Sequence, residues 1–74
     1  MARIEVKSEV TGTVWKIEKK VGDRVDAEDE IMILESMEME IPVPAPKAGT
    51  VAEIMVKEEQ PIAEGDVVCA IETD

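Results

Sequence analysis

The sequence predicts an all-β domain made of two similar halves, and three observations predict it. The chain is an ungapped repeat of itself. Its apolar residues alternate with polar ones or gather in short β-branched runs. Its one helix-like window, Val25 to Glu30, is too short to hold a helix unaided.

The repeat sets the frame. At a shift of 37 positions, Gly12-Thr13-Val14 falls on Gly49-Thr50-Val51. Ile17 falls on Ile54, Lys20 on Lys57, Asp29 on Asp66 and Glu35 on Glu72. Val25, Ile31 and Leu34 meet Ile62, Val68 and Ile71, which are close in size and branching. The copies cover about 11–35 and 48–72. Two such halves pack most simply around a pseudo-twofold axis, each covering the apolar face of the other. The joining segment, centred on residue 38, then turns back at the surface.

The elements follow in chain order. Arg3-Ile4-Glu5-Val6-Lys7 alternates with period two, as a half-buried strand does. Thr13 to Lys19 is rich in β-branched residues and forms the next strand. Trp15, the lone aromatic, is expected to anchor or lid one end of an aliphatic core. Val21-Gly22-Asp23 marks a turn. Glu30-Ile31-Met32-Ile33-Leu34 is a continuous apolar run, read as a strand buried on both faces. Pro42, Pro44 and Pro46 sit at alternate positions and remove N–H donors from one side only, which marks a strand with one open edge or one leaving the sheet. Thr50 to Val56 repeats the second strand, and Val67 to Ile71 the third. Glu64-Gly65-Asp66 is a further turn, yet the glycines do not coincide in the repeat: Gly22 falls on Glu59, and Gly65 on Glu28. Each half therefore places its glycine in a different part of the loop.

Composition narrows the function. A chain of 74 residues is one domain, 1–74, with no room for a second core. The net charge of −10 argues against nucleic acid or an anionic membrane as partner. No run reaches the roughly 20 apolar residues of a membrane span, and the N-terminus does not read as a signal peptide, so a cytoplasmic location is expected. There is no histidine, which removes the usual catalytic triads and the commonest metal ligand. Cys69, the single cysteine, lies in an apolar run and reads as a buried structural thiol.

Between the two halves stands Glu35-Ser36-Met37-Glu38-Met39-Glu40. With Thr11-Gly12-Thr13-Val14, Val21-Gly22-Asp23, Ala45-Pro46, Ala48-Gly49-Thr50-Val51 and Glu64-Gly65-Asp66, it makes residues 11–73 resemble the biotinyl/lipoyl attachment domain. The likeness is strongest to the biotin carrier of biotin-dependent carboxylases, because two methionines flank the central position. The resemblance implies a flattened β-barrel or barrel-sandwich hybrid of two four-stranded halves. It puts the attachment hairpin at mid-chain with no thumb inserted.

It also implies a non-catalytic carrier. In the family, a ligase joins activated biotin to the amine of a hairpin lysine, and the arm visits two active sites. Partners would be a biotin protein ligase and the biotin carboxylase and carboxyltransferase components of an enzyme such as acetyl-CoA carboxylase, in fatty acid biosynthesis. Met37 and Met39 would be read by the ligase and shape the hairpin. The position between them is Glu38, where the family has lysine. A carboxylate offers no amine to acylate, so this chain is expected to stay free of biotin. Because its surroundings are kept, Glu38 reads as a replacement that blocks modification.

Three other readings stand beside this one. Glu35, Glu38 and Glu40 would serve an enzyme as metal ligands or acid and base, with 38 and 40 on one strand face. A natural carrier-like module would bind a partner without any cofactor. A lipoyl-type carrier is disfavoured by the paired methionines.

Overall fold

The computed structural model describes residues 2–73, which form eight strands and no helix. They are β1 (Arg3–Lys7), β2 (Gly12–Ile17), β3 (Arg24–Val25), β4 (Glu30–Ser36), β5 (Met39–Pro44), β6 (Gly49–Ile54), β7 (Pro61–Ile62) and β8 (Val67–Thr73). Two antiparallel four-stranded sheets result, in the orders β1-β8-β6-β3 and β5-β4-β2-β7. They enclose one aliphatic core in a flattened barrel-sandwich of 36 × 18 × 17 Å.

The shift of 37 carries β2 onto β6, β3 onto β7 and β4 onto β8 residue for residue, and β1 into β5. It therefore turns one sheet order into the other. The halves do not stack as separate layers. Each sheet takes two strands from each half, so the halves are interleaved. The core obeys the same pairing. Val6 and Val43, Val14 and Val51, Val25 and Ile62, Ile31 and Val68, Met32 and Cys69, and Leu34 and Ile71 are all buried. Register irregularities repeat as well, at Trp15 and Ala52 between their ladder partners.

Trp15 is not a core residue. It sits at its bulge with 44% of its surface exposed, and the buried cluster is aliphatic with the Cys69 thiol. Ser8 is the one buried polar residue among those described; its hydroxyl donates to the Val10 carbonyl at 2.6 Å.

The loops show why the glycines failed to coincide. Positive φ occurs at Gly22 (97°) and its mate Glu59 (71°), and at Gly65 (93°) and its mate Glu28 (73°). Each half makes two left-handed turns, with glycine at one and glutamate at the other. Side chains pin all four. Asp23 accepts from the N–H of Lys20 at 2.8 Å, Asp29 from Asp26 at 2.9 Å, Gln60 from Lys57 at 3.0 Å and Asp66 from Ala63 at 2.9 Å. These side chains close the turns where the sequence alone offers no second glycine.

Strands β1 and β5 form one edge of each sheet. Between them runs a groove of about 300 Å³ lined by Ile4 and Val6 with their mates Ile41 and Val43. Among the described residues no helix is long and apolar enough to cross a membrane.

Candidate functional site

The site is the β4–β5 hairpin, and its shape follows from its two central residues. Ser36 pairs with Met39, so only Met37 and Glu38 are left to make the turn. Both have positive φ, 50° and 67°. That is the pattern of a type I′ turn, whose twist matches the flanking strands. Asparagine and glycine are its usual occupants. Methionine and glutamate adopt it at a cost of about 1–2 kcal/mol per residue, which the ladder beneath must offset.

That ladder runs through Glu35↔Glu40, Leu34↔Ile41, Ile33↔Pro42 and Met32↔Val43 into the buried core. Leu34 and Val43 fix the strands by burial, and the hairpin base is tied down by the residue just before β2. Ser36 Oγ donates to the Thr11 carbonyl at 3.0 Å, and Thr11 Oγ1 accepts from the Glu64 N–H at 3.0 Å. Gly12 lets the strands meet there. A Cβ on it would lie 2.3 Å from the Glu35 carbonyl oxygen and 3.2 Å from Ser36 Cβ. Thr11 and Ser36 were not singled out from the sequence as hairpin supports, since a hydrogen bond across 25 positions leaves no local pattern.

The apex is exposed. Met37 is 91% and Met39 63% accessible, and Glu38 is open to solvent. The sequence expectation that residue 38 marks a surface bend at mid-chain is what the geometry shows. The expectation that residues 38 and 40 share a strand face is corrected. Glu38 belongs to the turn, and Glu40 faces Glu35 across the ladder instead. Directly opposed carboxylates repel, and solvent and salt screen that repulsion. Among the described residues no three His, Cys, Asp or Glu side chains are grouped to hold a metal ion. Lys47 stands beyond β5, in the exposed connection to β6, away from the apex.

A rigid base, a two-residue apex and a solvent-facing central side chain flanked by thioethers can present one group to a partner. They do not enclose a reactant. Comparison with known proteins points the same way. Residues 5–71 match a family model described as "Biotin-requiring enzyme". The biotin/lipoyl attachment protein of Bacillus subtilis is 43% identical over 63 residues, which are 85% of this chain and 86% of that protein. Pyruvate carboxylase of the same organism is 39% identical over 67 residues, 90% of this chain and 6% of the enzyme. The crystal structure of the Kluyveromyces lactis urea carboxylase superposes with a TM-score of 0.92 at 38% identity, over 97% of this chain and 6% of that one. The chain thus spans most of a small attachment protein and a small part of two large carboxylases.

Proposed function

The chain belongs to the biotin/lipoyl attachment family, a family of non-catalytic carrier domains, and we propose that residue 38 stands at the attachment position of a biotin carrier serving a carboxylase. The observation that carries this reading is the turn itself. Two left-handed residues project position 38 into solvent between Met37 and Met39. A group attached there would reach away from the body on a fixed base. Domains of this family occur within carboxylases. We extend this to a biotin-dependent enzyme such as acetyl-CoA carboxylase, with a biotin protein ligase, a biotin carboxylase and a carboxyltransferase component as partners.

In that role the chain performs no bond-making step. The cofactor, when attached, supplies the ureido nitrogen that carries the carboxyl group. The chain's residues position the tether. Gly12, Thr11 and Ser36 hold the hairpin base, and Met37 and Met39 offer apolar contact to the loading ligase. Glu38 does not fit the cofactor, because its carboxylate has no nitrogen to form the amide. The chain as written therefore stays unmodified, and we read Glu38 as a replacement at a lysine position.

The test is direct. Ligase, ATP and biotin should leave this chain's mass unchanged and add one biotinyl group to the Glu38→Lys variant. A folded variant that gains no mass overturns the reading. A natural glutamate at codon 38 of the native gene would favour a cofactor-free interaction module instead.

A further inference from the structure

Sulfur is distributed unevenly in this molecule. Met32 and Cys69 are both sealed in the core at 0% exposure, and Met55 is half-buried. Burial also pushes the Cys69 thiol up to about 11, so the thiolate that oxidants attack is scarce at neutral pH. Cysteine, the usual redox sensor, is shut away here. The open sulfurs among the described residues are Met37 and Met39, at 91% and 63% exposure, on either side of residue 38. A thioether needs no ionisation to react.

We propose that Met37 and Met39 form an oxidant-modifiable site on the hairpin, through which peroxide lowers recognition of the apex by a loading ligase wherever a lysine stands at position 38. The consequence for loading rests on the carrier reading, whereas the modification itself does not. In each step a sulfur lone pair attacks one oxygen of hydrogen peroxide. The O–O bond breaks, an S–O bond forms, and the second oxygen leaves as water. The thioether is oxidised to a sulfoxide by two electrons and the peroxide is reduced.

The placement gives the reaction two properties. Neither side chain is part of the buried cluster, so the fold survives a change that disrupts cores elsewhere. Both sulfoxides also remain open to reductases, so the change is reversible. What changes is the apex, where two apolar, flexible side chains become polar and chiral. A ligase surface built to accept apolar side chains would then face two unpartnered oxygens.

The experiment uses the full chain and dilute hydrogen peroxide, followed by peptide mass mapping and thermal unfolding. One oxygen should appear on each of Met37 and Met39 at least about tenfold faster than on Met32 or Cys69, with the unfolding midpoint nearly unchanged. Oxidation of Met32 or Cys69 at a comparable rate in the folded protein overturns the site. In a second arm, the Glu38→Lys variant is offered to ligase before oxidation, after it, and after repair by methionine sulfoxide reductases of both epimer specificities. Loading should fall about tenfold on oxidation and return on repair. Equal loading before and after overturns the effect on recognition. If the reduced variant takes no biotin, it is the carrier reading that falls, and the oxidation map alone decides the site.

Discussion

Glu28 and Glu59 hold left-handed backbone, with φ of 73° and 71°, where their repeat mates are glycines. Side chains with a Cβ lose about 1–2 kcal/mol there, and glycine returns part of that gain as extra chain entropy in the unfolded state. Glu59→Gly should therefore stabilise the fold by about 0.5 kcal/mol and raise Tm by about 2–4 °C. Thermal unfolding monitored by circular dichroism checks this, and a lower Tm would contradict it. Cys69 gives a pH prediction. Its thiol is raised from 9.0 to about 11 by burial. A raised folded pKa means that its share of stability is complete below pH 9 and is lost as pH climbs towards 11. Urea midpoints should fall across that window more steeply in this chain than in Cys69→Ala, which keeps every lysine. Cys69 was legible as buried because its neighbours are apolar. The left-handed hairpin apex was not, because neither Met37 nor Glu38 is a residue that such turns prefer. The motif nevertheless located it.

At the scale of the strand, β5 shows how prolines shape an edge. Among the described residues β5 pairs with β4 alone, and its other side faces the groove shared with β1. Pro42 and Pro44 stand where the mates on β1 are Glu5 and Lys7, and neither can donate to an added strand. Replacing both by threonine should leave the fold intact and raise self-association through the reopened edge. Sedimentation velocity at increasing concentration measures this, and an unchanged sedimentation coefficient would refute it. The open edge was readable from the proline spacing. Strands β1, β2, β4, β6 and β8 were readable from their apolar patterns. Strands β3 and β7 were not, since two residues carry no period. The sequence pattern also ran β2 on to Lys19, whereas the strand stops at Ile17. Glu18 and Lys19 instead both donate to the Ile31 carbonyl, at 2.9 and 3.1 Å, which ends regular pairing.

Over the whole molecule, the repeat was visible but the exchange of strands between halves was not. Similarity between copies says which residues are equivalent and nothing about which sheet each strand joins. In the fold each sheet draws two strands from each half, so both apolar faces are built from both copies. The same arrangement ties the ends of the chain together: β1 lies against β8, and the Thr73 N–H donates to the Ala2 carbonyl at 2.7 Å. Thr73 is the mate of Ser36, so that closure and the hairpin are equivalent points of the pseudo-symmetry. The molecule is therefore close to a loop with two interchangeable openings. A circular permutant that begins at Glu38, ends at Met37 and joins Thr73 to Ala2 through a short glycine linker keeps every ladder pair. It should fold to the same amide spectrum with Tm lowered by no more than about 5–10 °C; an unfolded permutant would show that the hairpin must be closed for the sheets to form. If it folds, the apex is free of any duty to the scaffold, and the two left-handed residues there answer only to what comes to meet them.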